Sequence, residues 1–134
     1  MNNEYGNTRL FIENIQDMYY NTKGSKRGYI GDLIKLIPWI NTEYNILCSN
    51  PQETEENKLN LLTWEDMARI CGYKDIKNFK KNILDLKIKG HSAVKYLIHG
   101  RGMAIYINPK FCYGSDNVYN LYALCALFDM EPNN

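Results

Sequence analysis

Two short amphipathic segments separated by a glycine constrain the fold of this chain more than any other feature. Thr63 precedes the first segment as a helix N-cap would, and Gly72 follows it as a C-cap would. Asp75 precedes the second segment, which we expect to run to about Ile88 and to stop at Gly90. Apolar residues recur at helical spacing in both segments. The pattern predicts a helix-turn-helix unit.

Two alternating segments follow this unit directly. Residues 93–99 and 103–108 alternate in the manner of strands, and Gly100-Arg101-Gly102 joins them. A tight, glycine-bearing connection between two such segments indicates a β-hairpin. A hairpin placed immediately after a helix-turn-helix unit is typical of a wing.

The remaining elements are less sharply defined by the sequence. Before the unit we expect a short strand that continues into a helix, a second helix that kinks or stops near a proline, and two short strands. The first strand and helix lie within Thr8–Tyr20, and the second helix runs from Tyr29 to about Pro38. The two short strands are Tyr44–Cys48 and Leu59–Leu62. After the hairpin, Asp116 is expected to cap a final helix that runs to Asp129.

A length of 134 residues is that of one domain. Residues 50–58, N-P-Q-E-T-E-E-N-K, form a polar, acidic loop, and residues 1–7 and 130–134 are expected to be flexible. We therefore predict a single α+β domain with a winged helix-turn-helix fold. It is mostly helical, with a small antiparallel sheet that forms the wing and an extra C-terminal helix.

The charge is distributed unevenly along the chain. The net charge of +1 is the balance of +6 in residues 74–101 and −5 in the remainder. A basic segment of this density indicates a polyanionic partner. We expect double-stranded DNA, rich in A·T pairs.

The position of the cations on the second helix strengthens that expectation. At about 100° per residue, the apolar residues cluster on one side and Asn82 lies on the flank. The residues on the opposite side are Lys74, Lys77, Asn78, Lys81 and Asp85. Lysines would meet phosphates, asparagines would pair with adenine in the major groove, and an arginine at the hairpin tip would enter the minor groove. The candidate DNA-binding residues are Lys74, Lys77, Asn78, Lys80, Lys81, Asn82, Lys95 and Arg101. The alternative is a solvated lysine face on an ordinary surface helix.

Catalysis and metal binding find little support in the sequence. His91 and His99 do not form a metal-ligand pair, no serine lies in a GxSxG context, and the four cysteines are widely spaced. We predict no catalytic residue, no metal and no cofactor, and expect the cysteines to be buried free thiols. No apolar segment approaches the roughly 18 residues of a membrane span. The first residues lack the regions of a signal peptide. We therefore expect a cytoplasmic protein that binds no membrane.

The final helix leaves two interpretations open. Residues 116–129 are apolar over more than one face. The helix either closes the core of a small domain or pairs two subunits into a homodimer.

Four segments of this sequence resemble winged-helix replication proteins of plasmids and phages, in particular the Firmicutes plasmid replication protein (RepL) family. They are RLFIENIQDM, GYIGDLIKLIPWI with EYNILCSNP, LTWEDMARICGYKDIKNFKKNILDLK, and IYINPKFCYGSDNVYNLYALCALFD. The resemblance spans about residues 8–129. It implies a DNA-binding initiator or replication-associated regulator without catalytic residues. It further implies that residues 75–87 form the recognition helix and residues 99–103 the tip of the wing.

Two functions from different classes follow. The first is a sequence-specific DNA-binding protein of plasmid or phage origin, acting in replication initiation or transcriptional regulation. The second is a plasmid- or phage-encoded inhibitor or adaptor of a host protein, including a host defence factor, which reuses the winged-helix fold. The acidic loop and the apolar last helix motivate the second function.

Overall fold

The computed structural model describes residues 9–100 and 102–131. Within these ranges the fold is α+β, with helices and short antiparallel strand pairs. The helices are α1 (Ile12–Asn21), α2 (Gly28–Lys35), α3 (Trp64–Cys71), α4 (Ile76–Leu84) and α5 (Val118–Leu127). The strands are β1 (Arg9–Leu10), β2 (Lys87–Ile88), β3 (His91–Ser92), β4 (Val94–His99), β5 (Gly102–Ile107) and β6 (Cys112–Tyr113).

The caps predicted around α3 and α4 are confirmed. The Thr63 hydroxyl accepts from the backbone N–H of Asp66, whose carboxylate accepts in return from the Thr63 N–H. Gly72 ends α3 with a φ of +87°, a left-handed conformation that glycine adopts without strain. The Asp75 carboxylate accepts from the Asn78 N–H at the start of α4. Each helix therefore begins and ends through bonds between residues close in sequence.

Helix α4 is shorter than predicted. It ends at Leu84, and β2 pairs with β3 in a small antiparallel ladder where we expected the helix to continue to about Ile88. Lys89 and Gly90 have φ values of +48° and +84°, so they reverse the chain between the two strands. Gly90 therefore forms a turn and does not end the helix.

The predicted hairpin is confirmed. Strands β4 and β5 pair in register from Val94 with Ile107 to His99 with Gly102. Residues 45–47 run along the other edge of β5, since Ile46 pairs with Tyr106 and the Leu47 N–H donates to the Ile105 carbonyl. The predicted strands at 44–48 and 59–62 are isolated bridges. In the first, Asn45 has a φ of +58° and breaks the extended run.

The hairpin is the middle layer of the molecule. One face packs on the main core formed with α1 to α4, which includes Met18, Leu33, Leu36, Phe79, Ile83, Val94, Ile105 and Ile107. The other face packs on a smaller cluster that includes Ile46, Cys48, Leu59 and Ala104. A third cluster of Cys125, Phe128 and Met130 lies under α5. Both hairpin faces are covered at the end away from the turn, whereas Leu97 and Ile98 near the turn are exposed.

Two predicted boundaries at the ends of helices shift. The helix predicted from Tyr29 is α2 (Gly28–Lys35). It ends before a 3₁₀ turn at Ile37–Trp39, which includes the proline. Helix α5 is capped by Asn117 and not by Asp116, because the Asn117 side chain accepts from the N–H groups of Tyr119 and Asn120.

The loop at residues 50–58 contains a 3₁₀ turn at Glu56–Lys58. The predicted flexible segment 1–7 lies outside the described residues, as do residues 132–134, while Met130 is buried. Within the described ranges, none of the helices combines the length and apolar character needed to cross a bilayer.

Candidate nucleic-acid interface

Helix α4 turns its apolar side inward and its lysines outward. Phe79 and Ile83 are fully buried in the main core. Lys74, just before the helix, and Lys77, Asn78 and Lys81 are exposed. This division follows from the helical period, since residues three and four apart share a side. The predicted outward face of cations and one amide is therefore present.

These cations are largely available to a partner. Among the residues described, neither Lys74 nor Lys77 takes part in an ion pair. The Nζ of Lys81 lies 3.6 Å from Asp85 Oδ2, with both side chains mostly exposed, so solvent screens the pair and it stabilises little. A shallow depression of about 510 Å³ borders Lys77, Asn78 and Lys81.

The prediction that Asn82 contacts DNA is wrong. Its side chain is 3% exposed. Its Nδ2 donates to the Tyr29 hydroxyl at 3.0 Å and to the Asn78 carbonyl at 2.9 Å. Asn82 therefore joins α4 to α2 and cannot reach a base edge.

Lys80 lies between two aromatic rings. Its Nζ is 4.8 Å from the ring centre of Tyr96 and 5.7 Å from that of Trp64. The two rings meet edge to face, with centroids 6.0 Å apart. Cation–π attraction at such distances holds the ammonium in place. Lys80 thus connects α4 to α3 and to the hairpin, at the edge of the exposed lysine face.

Of the remaining two predicted residues, only Lys95 is among those that the structure describes, and it does not join this face. Lys95 follows Val94 on β4 and so lies on the hairpin face opposite Tyr96. Its Nζ lies 3.4 Å from Asp129 Oδ2, near the end of α5. Lys95 therefore lies on the hairpin face turned away from the α4 lysines, beside α5. Arg101 lies outside the described residues.

A polar and aromatic network under the helix-helix turn was missed from the sequence. Tyr73, in the turn, stacks on Tyr29 of α2 with ring centroids 5.5 Å apart and packs against Phe79 of α4. The Tyr73 hydroxyl donates to Asp32 Oδ2 at 2.5 Å, and Asp32 is 3% exposed. Burial and the Asp32 carboxylate raise the pKa of Tyr73, so the hydroxyl keeps its proton. The sequence carried little signal for this network, because helical spacing puts Asp32 at the edge of the apolar side of α2.

The thiols in the described residues are weak nucleophiles. Burial, together with the Asp32 carboxylate, raises the pKa of Cys71 to about 11. Burial raises the pKa of Cys112 to about 12. A protonated thiol does not attack. The residues that the structure describes contain no group of three or more His, Cys, Asp or Glu side chains placed to hold a metal ion.

Helix α5 presents a second surface of opposite character. No charged residue occurs in Val118–Leu127. Val118, Tyr119 and Tyr122 are 47%, 79% and 51% exposed. We call these three residues the α5 apolar face. A groove of about 240 Å³ on another side of α5 is bordered by Leu97, Tyr106 and Leu124, among others.

Comparison with known protein families, curated proteins and solved structures returned no match to this chain. The likeness to plasmid replication proteins therefore stays a prediction from the sequence.

Proposed function

We propose that this chain is a winged-helix protein that binds double-stranded DNA sequence-specifically. Its role would be replication initiation or transcriptional regulation on a plasmid or phage. The observation that carries the proposal is the outward face of α4, with exposed Lys74, Lys77, Asn78 and Lys81. The proposal assigns no catalytic residue and no cofactor.

The order and pairing of the elements support a winged-helix fold. The elements of such a fold follow one another along the chain in the order α2, residues 45–47, α3, α4 and the β4–β5 hairpin. Residues 45–47 lie along β5 on the edge away from β4. A helix-turn-helix unit followed by a hairpin, with a third extended segment from before the unit, is the arrangement that a wing requires. Tyr96 of the hairpin contacts Lys80 of α4 and Trp64 of α3, so the hairpin lies beside both helices.

In this proposal α4 enters the major groove, which is wide enough to admit a helix. Lys74, Lys77 and Lys81 neutralise phosphates on the groove edges. The exposed amide of Asn78 pairs with N6 and N7 of an adenine, which gives sequence preference. Lys80 is held by its aromatic neighbours, so a phosphate contact from it loses less side-chain freedom than one from a fully mobile lysine.

The test is a titration of an A·T-rich duplex at several salt concentrations. Four lysine–phosphate contacts predict that log affinity falls against log salt with a slope of about −4. The slope is measured by fluorescence anisotropy on the full chain. A flat salt dependence, or no binding at about 50 mM salt, contradicts the proposal.

A second candidate function is a protein-binding inhibitor or adaptor of a host factor. The α5 apolar face favours it, because an uncharged, exposed helix surface is typical of protein contacts. Capture of a partner from host lysate before and after nuclease treatment separates the two functions. A partner that is retained only while nucleic acid is intact contradicts this second function.

A further inference from the structure

The end of the hairpin carries an exposed isoleucine. Ile98 is 79% exposed, although it belongs to β4 and is opposite Met103 in the ladder. Its neighbours toward the base of the strand, Tyr96 and Val94, pack on the main core. Ile98 therefore projects beyond the core.

The strand period places Ile98 on the α4 side of the hairpin. Side chains two residues apart lie on the same face of a strand, about 7 Å apart along it. Tyr96 contacts Lys80 of α4, so Ile98 extends that same face toward the tip. Leu97, by contrast, lies on the other face and borders the groove beside α5.

The charge of the side chains near Ile98 indicates which kind of partner covers it. Lys80 of α4 lies on this side of the hairpin at Tyr96, and Lys77 and Lys81 of the same helix are exposed, so a partner here meets a basic surface. A second copy docked here by a two-fold axis would bring two lysine-rich helices together, which like charges oppose. A duplex supplies the opposite charge, and the stacked bases in its minor groove supply an apolar surface.

We propose that Ile98 is a wedge that inserts between base pairs from the minor groove and bends the duplex. This inference rests on the proposed DNA-binding function. Apolar side chains used in this way partly unstack one step and kink the duplex by about 20–90°. Pyrimidine–purine steps such as TA unstack most easily, so the wedge also favours sites that contain such a step.

The experiment measures bending and affinity together. An A·T-rich duplex of about 30 base pairs, with a central TA step and a fluorophore at each end, reports its end-to-end distance by energy transfer. Full-length wild type is compared with Ile98→Ala, with Ile98→Met, and with Leu97→Ala as a matched control on the other hairpin face. Thermal unfolding of each variant is recorded beside it.

Wild type should increase energy transfer, and Ile98→Ala should abolish the increase and bind about tenfold more weakly. Ile98→Met should keep the bend, because a methionine also serves as a wedge. Leu97→Ala should bend the duplex as wild type does.

Binding without bending by wild type, or unchanged bending by Ile98→Ala, overturns the wedge and leaves DNA binding intact. A wild type that binds no duplex overturns both.

Discussion

Helices α4 and α5 are nearly equal in length, at nine and ten residues, yet they present opposite chemistry. The outer side of α4 is a row of lysines with one exposed amide, whereas α5 contains no charged residue. A contact through α4 should weaken as salt rises, since phosphate binding releases counterions. A contact through α5 should be favoured by sulfate, which strengthens apolar burial. A net charge of +1 therefore conceals two different surfaces.

The two helices also differ in how they are held. The inner side of α4 belongs to the main core, which includes residues of α1, α2, α3 and the hairpin. Helix α5 rests on the small cluster of Cys125, Phe128 and Met130. We infer that α4 is the more firmly anchored of the two.

Removing the aromatic ring under each helix tests that difference and has the largest expected effect. Phe79 and Phe128 are both almost fully buried. Phe79→Ala should lower the free energy of unfolding by about 3–5 kcal/mol, because Tyr29 and Tyr73 cannot collapse into the space. Phe128→Ala should cost less, since a small cluster relaxes more easily. Urea denaturation measures both; equal losses would show that α5 is as firmly anchored as α4.

Charge reversal on α4 tests the salt-sensitive surface. Lys77→Glu combined with Lys81→Glu should weaken duplex binding by about 100-fold and make the salt slope about 2 less steep. Exposed charges contribute little to folding, so thermal unfolding should hardly move. The matched control is Lys23→Glu combined with Lys26→Glu. Both lysines are exposed, at the 3₁₀ turn before α2. An equal loss of duplex affinity in the control would show that the effect comes from net charge and not from the position of the lysines on α4.

Two asparagines on α4 separate positioning from recognition. Asn82→Ala should lower the free energy of unfolding by about 1–3 kcal/mol, because it removes the buried bonds to Tyr29 and Asn78. Asn78→Ala should change unfolding by less than about 0.5 kcal/mol, while costing about 1–3 kcal/mol of base discrimination. Denaturation and binding to a set of single-base variants of the duplex measure the pair. A stable Asn82→Ala with altered base preference would reverse this assignment.

The α5 apolar face should mediate self-association if it pairs two copies of the chain. Tyr119→Ser with Tyr122→Ser should then weaken the dimer by about tenfold, because two exposed aromatic rings lose their contact area. Sedimentation velocity at several protein concentrations, with and without sulfate, measures this. A wild type that stays monomeric throughout would assign α5 to another partner or to none.

The smallest expected effect concerns the caps of α3 and α5. Removing each capping side chain should lower the free energy of unfolding with a different pH dependence. The Thr63 backbone N–H donates to the Asp66 carboxylate and holds its pKa below the usual range. Asp66→Asn should therefore cost about 0.5–1 kcal/mol at neutral pH.

That cost is present above the carboxyl pKa of the unfolded chain, about 4, and disappears as pH falls through the lower pKa of folded Asp66. Asn117→Ala at the start of α5 should cost about 1 kcal/mol at every pH, since an amide does not titrate. Urea denaturation at several pH values measures both. A pH-independent cost for Asp66→Asn would exclude the charged capping bond.

The sequence predicted the elements that residues close along the chain decide. The caps at Thr63 and Asp75, the left-handed Gly72 and the β4–β5 hairpin were all predicted, as was the outward side of Lys77 and Lys81. Helical spacing, caps and glycine conformation depend on neighbours within a few residues. Periodicity therefore located the centre of the candidate interface.

Only the tertiary structure decided which residues surround that centre. Asn82 is buried because Tyr29, 53 residues away, supplies its acceptor. Lys80 is held because Trp64 and Tyr96 meet beside it, and Lys95 pairs with Asp129 because α5 packs beside that face of the hairpin. A residue at the edge of a helix face faces solvent or core according to what packs against it. Such contacts join segments far apart in sequence, and no local pattern records them.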